Sequence, residues 1–280
     1  MTVIEFNWNS DHQISYYGIE WKPDQSPRGV IILVHGLGEH SGRYQHVAQL
    51  LNQHGYAVIA SDHAGHGQTG GKRGHVDSYE CFFEELDTLL SRSRQNYPDL
   101  PIFLYGHSLG GSIVLAYLLK RAPNVAGAIV TSPGIKLVSD PGVMLVFGKI
   151  LNRLVPSTAL NNGLKLEGLS KDPKVIQAYK SDPLVHPWIS ARLAIQLIET
   201  GEWIRENGEQ IQVPVLLLHG NADQLTAVEG SRELAEKNRK YVTYIEWEGG
   251  YHELHNEPDK EQVFQVILKW LEEQVPVHSQ

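Results

Sequence analysis

A serine between glycines, in the stretch GHSLG at residues 106–110, is the first group in this sequence that could do chemistry. An apolar run precedes it and an apolar stretch with helical periodicity follows it, so the chain must pass from strand to helix in one sharp turn. Gly106, Gly110 and Gly111 remove side chains that would clash there. The pattern G-x-S-x-G in this setting predicts that Ser108 is presented as a nucleophile.

A serine hydroxyl needs a general base, and the base needs an acid that orients it. In folds that present a serine on this strand-to-helix turn, the acid lies in a loop after a later strand and the histidine lies in a loop after the last strand. Asp223 is the only acid directly after the strand VPVLLLHG, although it could instead cap the next helix. We prefer His252 to His255 because the glycines at 249–250 free the backbone beside it. Asp223 and His252 are therefore the predicted partners of Ser108.

The same chemistry needs two backbone N–H groups aimed at the charge that develops on a substrate carbonyl. Leu109, which follows the candidate nucleophile, supplies one candidate amide. Leu37 in HGLGE supplies the second, because the glycines on both sides of it let the backbone approach closely. A glycine-rich turn without chemistry is the alternative for both stretches.

The elements that position these residues begin as short apolar runs that are continuous rather than alternating. They lie at residues 29–35, 56–61, 101–106, 126–132, 213–220 and 242–248. Helical patterns occur between them, at about 43–54, 78–96, 109–121, 227–240 and 260–274. Continuous strands alternating with helices predict a doubly wound α/β fold with a mostly parallel sheet and helices on both faces. The alternating segments VIEFN and QISYYGIEW predict an antiparallel edge on that sheet.

One interval, residues 135–205, contains no convincing core strand. We predict an inserted helical cap there, with residues 1–134 and 206–280 forming the core. The segment at 141–155, PGVMLVFGKILNRLV, is apolar around much of a helix, which indicates either packing on the core or peripheral contact with a lipid surface. It is too short to span a bilayer.

Composition excludes several classes of partner. The formal net charge of −8, with no stripe of Lys and Arg, excludes a nucleic-acid footprint. The start MTVIEFNWNSDHQ has no signal-peptide pattern, which predicts a cytoplasmic protein. Cys81 is the single cysteine, so no intrachain disulfide can form, and its helical setting predicts packing rather than catalysis. The oligomeric state is left open.

Two competing sites lie in one loop. GHGQTG, at 65–70, fits a dinucleotide-binding pattern, but the next helix begins only near residue 78, too late to cradle a phosphate. Asp62, His63 and His66 have plausible metal-ligand spacing, but no cysteine or distant partner completes the set, and we attribute them to loop polarity. We predict no metal and no cofactor.

Six segments together resemble the monoacylglycerol lipase and lysophospholipase-like family of α/β hydrolases. They are HGLGEHSGRY, SDHAGHGQTGGKRGH, GHSLGG, LSKDPKVIQAYKSDPLVH, HGNADQLT and GGYHELHNEP. The resemblance implies an α/β-hydrolase fold with an inserted helical cap. It implies the same site residues as above: Ser108, Asp223 and His252, with the amides of Leu37 and Leu109. Thr226 departs from the family, which often has Val there.

The resemblance implies a serine hydrolase that cleaves carboxylic esters of fatty acids, with monoacylglycerol as substrate and an acyl-enzyme on Ser108. A short-chain carboxylesterase or a lysophospholipase remains an alternative, because the same triad serves any ester. A non-catalytic binding protein with this fold is a more distant alternative. Rapid labelling of Ser108 by an organophosphonate would separate an enzyme from a binding protein.

Overall fold

Eight strands form the central sheet of the computed structural model, which describes residues 1–11, 13–138 and 142–275. The strands are β1 (Thr2–Asn9), β2 (Ser15–Lys22), β3 (Gly29–Val34), β4 (Tyr56–Ser61), β5 (Ile102–His107), β6 (Gly127–Thr131), β9 (Val215–Gly220) and β10 (Val242–Trp247). Their order across the sheet is β1-β2-β4-β3-β5-β6-β9-β10.

The sheet is parallel from β4 to β10, and β1 and β2 are the antiparallel exceptions at one edge. Every residue of β3, β4, β5, β6 and β9 is buried, as continuous apolar strands require. Both the parallel core and the antiparallel edge predicted from the sequence are confirmed. The carboxyl ends of the parallel strands consequently meet at one side of the sheet, where ligands bind in open α/β folds.

Helices cover both faces of the sheet. They are α1 (Gln45–Gln53), α2 (Glu80–Asn96), α3 (Leu109–Arg121), α7 (Val228–Lys237) and α8 (Lys260–Gln274). Phe82, Ile113 and Leu234 bring α2, α3 and α7 into one apolar layer. Val47 and Ile267 bring α1 and α8 into the layer on the opposite face. The fold is doubly wound, as predicted.

Between β6 and β9, the residues that the structure describes add no strand to the central sheet. This segment contains α4 (Gly142–Leu154), β7 (Ala159–Asn161), α5 (Pro173–Ser181), β8 (Trp188–Ser190) and α6 (Ala191–Asn207). The strands β7 and β8 form a separate two-stranded sheet, and α6 packs against α3 and α4. Residues 139–141 of the predicted cap, including Pro141 of the apolar segment, lie outside the described residues. The division at residues 135–205 stays a prediction, and α6 runs past its end.

The sequence also predicts that Cys81 packs within a helix and that the apolar segment at 141–155 is too short to span a bilayer. Cys81 lies in α2 and is only partly buried, so its packing is less complete than a core position would be. Within the described ranges, no helix combines the length and the apolar character that crossing a bilayer demands.

Candidate active site

Ser108 occupies the single residue between the end of β5 and the start of α3. Its φ of 54° and ψ of −116° lie in a region that non-glycine residues rarely adopt, so the turn is strained. A Cβ on Gly106 would lie 2.4 Å from the carbonyl oxygen of Gly110, and one on Gly110 would lie 2.0 Å from that of Val34. The predicted need for glycines beside the serine is therefore confirmed.

Hydrogen bonds from neighbouring strands hold this turn in place. The Ser108 amide donates to the carbonyl of Thr131 at 3.0 Å, and the Gly134 amide donates to the carbonyl of Ser108 at 3.0 Å. The serine side chain stays partly exposed at the N-terminus of α3, where the helix dipole favours negative charge.

Asp223 lies in the turn after β9, and its carboxylate is inaccessible to solvent. Its Oδ2 lies 2.7 Å from Nδ1 of His252. Its Oδ1 accepts the amides of Leu225 and Thr226 at 2.7 and 3.1 Å, which fixes the plane of the carboxylate. The helix that follows has Ala227 at its N-cap without a side-chain bond, so Asp223 is not the cap considered from the sequence.

Two further side chains reach the same carboxylate oxygen. Nε2 of His219 lies 3.2 Å from Oδ2 of Asp223, and the Thr226 hydroxyl donates to Oδ2 at 2.9 Å. Sequence reasoning did not identify either residue as part of the site. The sequence feature that could have indicated them is spacing, because His219 lies four residues before Asp223 and Thr226 lies three residues after it in HGNADQLT.

The charges of this pair are set by burial and by mutual attraction. Burial raises the pKa of Asp223, but the charge of His252 and the hydrogen bond from His219 lower it well below its ordinary value. Burial lowers the pKa of His252, but attraction to Asp223 raises it above that of an ordinary histidine. The pair is thus an ionised carboxylate beside an imidazole that readily takes up a proton.

The loop after β10 carries His252 to the site and keeps His255 away from it. The Ser132 hydroxyl donates to the carbonyl of His252 at 2.8 Å, and Gly249 has a φ of +67°, which frees the turn before it. The ring of His255 stacks on Tyr44 with centroids 4.8 Å apart. His255 also has no hydrogen bond to Asp223 among the described residues.

The two candidate amides lie beside Ser108. A Cβ built on Gly36 would be 3.3 Å from Cβ of Ser108, so the loop that carries Leu37 passes next to the serine. Leu109 is the first residue of α3 and Leu37 lies in the loop after β3. Within the described ranges, neither amide donates a hydrogen bond to another protein group. Both remain available to a ligand oxygen.

A buried ionic cluster that sequence reasoning missed ties the two loops together. Glu39 accepts the Gly36 amide at 2.7 Å and pairs with Arg43. Arg43 also donates to both carboxylate oxygens of Glu253, at 2.8 and 2.9 Å. Burial raises the pKa of Glu253, but Arg43 lowers it well below its ordinary value. The cluster therefore links the loop of Leu37 to the residue after His252. The sequence feature that could have indicated it is the pair Glu39 and Arg43 in HGLGEHSGRY.

Ser108, His252, Leu37 and Leu109 all line one cavity of about 690 Å³. Its walls come from α4, α6 and the segments beside them. The apolar wall residues include Leu145, Leu151, Ala194, Ile195, Leu197 and Ile198. This volume lies within the range of small-molecule pockets, and the lining is mostly apolar.

The dinucleotide-like pattern and the candidate metal ligands, considered above as competing sites, both lie in the loop between β4 and α2. Asp62, His63 and His66 are all buried, so the expectation that they reflect loop polarity is wrong. Asp62 accepts bonds from the Ser41 amide and hydroxyl, and His63 pairs with Glu85 at 2.9 Å. Across the part of the chain that the structure describes, no group of three or more such side chains could hold a metal. The loop at 65–70 does not open a helix, since α2 begins at residue 80.

Residues 25–259 match the family described as serine aminopeptidase, S33. A monoacylglycerol lipase from Mycolicibacterium smegmatis is 37% identical over 254 residues, which cover 90% of each chain. The chain belongs to this family of α/β hydrolases. It is an ester hydrolase of the monoacylglycerol lipase-like group, which confirms the resemblance drawn from its motifs.

Two further similarities describe the range of the family around this chain. The crystal structure of the Paleococcus ferrophilus monoacylglycerol lipase superposes with a TM-score of 0.85 at 38% identity, covering 92% of this chain and 99% of that one. A phospholipase from Bacillus subtilis is 32% identical over 263 residues, covering 91% of this chain and 99% of its own. The Paleococcus structure shares the fold of this chain, while the names of the relatives differ between monoacylglycerol lipase and phospholipase.

Proposed function

We propose that this chain hydrolyses monoacylglycerols to glycerol and free fatty acid through an acyl-enzyme on Ser108. The observation that carries the proposal is a single apolar cavity lined by Ser108 and His252, with Asp223 hydrogen-bonded to His252 at 2.7 Å behind it. A nucleophile, a base and an orienting acid in this arrangement suit acyl transfer.

In the proposed mechanism His252 takes the Ser108 proton as the hydroxyl attacks the ester carbonyl. The amides of Leu37 and Leu109 stabilise the tetrahedral oxyanion, and His252 then protonates the departing glycerol oxygen. Water repeats the sequence on the acyl-enzyme and releases the fatty acid. Asp223 keeps the proton of the resting imidazole on Nδ1 and stabilises its cation, so that Nε2 is free to act as base.

The apolar wall indicates where the acyl chain binds. Leu145 and Leu151 from α4 and Ile195 and Ile198 from α6 all line the cavity. Burying a methylene against such walls contributes about 0.8 kcal/mol, so a long acyl chain gains substantial binding energy there. A short-chain ester would leave much of this surface unfilled.

The charged residues at the cavity favour a neutral head group. Glu39 and Glu253 both line it, and among the described lining residues none is Lys or Arg. Their partner Arg43 is engaged by both carboxylates. A phosphate would meet negative charge without a free cation, whereas glycerol hydroxyls can donate to carboxylates. A lysophospholipid nevertheless stays the second candidate substrate, since the relative from Bacillus subtilis is named a phospholipase.

We further propose that the mouth of the cavity contacts a lipid surface. Leu137, Phe147 and Leu160 line the cavity and are also exposed, so the entrance itself is apolar. Ile150 and Leu154 extend this exposed face along α4. An apolar face of this kind inserts at the boundary between head groups and acyl chains, where a monoacylglycerol resides.

The test is release of free fatty acid from a panel of monoacylglycerols, short-chain esters and lysophosphatidylcholine, with Ser108→Ala as the blank. Highest kcat/KM on long-chain monoacylglycerol, lost in the blank, is the expected result. Preference for lysophosphatidylcholine would transfer the function to the second candidate. Activity that survives in Ser108→Ala would overturn the acyl-enzyme.

A further inference from the structure

Thr226 is buried and lies at the centre of the polar groups behind the candidate base. Its hydroxyl oxygen is 2.9 Å from Oδ2 of Asp223 and 3.4 Å from Nδ1 of His252. It is also 3.2 Å from the carbonyl of Ser132 and 3.3 Å from Nε2 of His219. The hydroxyl thus lies beside the same carboxylate oxygen that His252 uses.

The hydroxyl has one proton, and Asp223 is its best acceptor. The ionised carboxylate is both closer and more strongly accepting than the neutral carbonyl of Ser132. Thr226 therefore donates to Oδ2 of Asp223, the oxygen that also accepts from His252. A carboxylate oxygen that accepts an additional hydrogen bond has less electron density for each donor, so it stabilises an imidazolium less.

We propose that Thr226 is a positioning residue. Its hydroxyl shares Oδ2 of Asp223 with His252 and thereby moves the acidic limb of the pH profile of kcat/KM to lower pH. The proposal rests on the proposed function, in which His252 must be neutral to act as base.

Other charged or titratable groups also face His252, and a valine at position 226 leaves all of them in place. Asp223, Glu253 and Glu39 raise its pKa. The ring centroid of His107 lies 4.8 Å from that of His252 and 4.8 Å from that of His255. His219 reaches Oδ2 of Asp223 from the other side. Because all of these side chains are retained in the variant, a shift in the pKa of His252 is attributed to the loss of the hydroxyl and of its contacts to Asp223 and His219.

The experiment compares Thr226→Val with Thr226→Ser. Valine keeps the branched shape and the backbone amide that donates to Oδ1 of Asp223, while it removes the hydroxyl. We expect Thr226→Val to move the acidic limb of the pH profile of kcat/KM upward by about half to one pH unit, since the net contribution of a typical hydrogen bond converts to a pKa shift of that size. Thr226→Ser should keep the wild-type limb.

A second readout does not depend on catalysis. Titration of the ¹⁵N-labelled His252 ring by NMR, in the resting protein without substrate, should show the same upward shift in Thr226→Val. This measurement works even if the chain fails to hydrolyse monoacylglycerols, so failure of the proposed function is distinguishable from failure of the present inference. Spectra of His252→Ala identify the resonance.

Three results would overturn the inference. The first is an unchanged or lowered pKa of His252 in Thr226→Val. The second is a uniform loss of activity at every pH without movement of the limb, which would indicate a purely structural role. The third is an equal shift in Thr226→Ser, which would mean that the hydroxyl is not responsible.

Discussion

At the scale of single residues, the proposed chemistry depends on how one proton of His252 is held. Nδ1 lies 2.7 Å from Oδ2 of Asp223, and the carboxylate is itself held by the amides of Leu225 and Thr226. Oδ2 is therefore a fixed acceptor, and Nε2 is the nitrogen left for Ser108. An amide at position 223 could present an N–H to Nδ1 and would favour the wrong tautomer.

We expect Asp223→Asn to lower kcat on monoacylglycerol by about 10⁴-fold while the folded structure is retained. Steady-state kinetics and thermal unfolding of the same preparation measure both quantities. Asp99→Asn, at an exposed loop position, is the matched control and should keep wild-type turnover. Near wild-type turnover in Asp223→Asn would remove this residue from the triad.

At the scale of elements, the junction of β5 and α3 decides where the serine lies. The helix begins one residue after Ser108, so Gly110 packs directly against the end of β3. A Cβ there would lie 2.0 Å from the carbonyl of Val34 and 2.6 Å from that of His35. Neither obstacle is a flexible side chain, so the strand or the helix would have to move.

Gly110→Ala should therefore destabilise the protein by about 1–3 kcal/mol or more, the usual cost of overpacking. It should also lower kcat, because the displaced helix carries the amide of Leu109. Gly70→Ala is the control, since its nearest neighbour would be 3.6 Å away, an ordinary contact. Denaturant unfolding of the two variants measures their stability, and steady-state kinetics measures kcat. Equal stability of the two variants would contradict this account of the turn.

The helix α4 presents two apolar faces with different predicted roles. Leu145 and Leu151 line the cavity, while Ile150 and Leu154 are 50% and 71% exposed. Sequence periodicity alone left the orientation of this helix open. The exposed face is the part of the proposed lipid contact that can be changed without altering the cavity.

Changing Ile150 and Leu154 together to Gln should reduce co-flotation with phospholipid vesicles and leave hydrolysis of a dispersed short-chain ester unchanged. The control is a double variant, Val3→Thr with Ile4→Thr, which removes the same number of exposed apolar residues from β1 and should not alter flotation. Unchanged flotation of the α4 variant would remove the membrane contact from the proposed function.

At the scale of the whole molecule, the many buried histidines make stability depend on pH. Burial lowers the pKa of His35, His66 and His107, and it lowers that of His255 to about 3. Each stays neutral when folded but takes up a proton near pH 6.5 when unfolded. Their contribution to stability is therefore present above pH 6.5 and is lost as pH falls. His63 and His252, with raised pKa values, act in the opposite sense.

His255 offers the cleanest test, because neither ring nitrogen has a hydrogen bond among the described residues. His255→Phe keeps an aromatic ring against Tyr44 and removes the titration. Between pH 7.5 and pH 5 the variant should lose about 2 kcal/mol less stability than the wild type. Denaturant unfolding at several pH values measures this slope, with exposed His54→Phe as control. Parallel slopes for wild type and His255→Phe would contradict the prediction.

Local patterns in the sequence determined the fold class and the chain positions of the candidate site. Continuous apolar runs alternating with helices specify a parallel sheet, and loops at the carboxyl ends of parallel strands meet at one edge. Ser108, Asp223 and His252 could thus be selected from turns that follow successive strands. Their roles remain predictions, while the fold and the family are confirmed.

The other groups that support that site depend on the packing of distant segments. Arg43 bonds Glu253 across 210 positions of the chain, and no local pattern encodes a contact of that separation. The burial of His63 and His66, the sharing of Asp223 by His219 and Thr226, and the outward face of α4 likewise depend on how the elements pack. Local sequence patterns are enough to predict which elements form and where the reactive residues lie along them, because those properties are local. Packing decided their partners, charges and exposure, because those properties belong to contacts between distant segments.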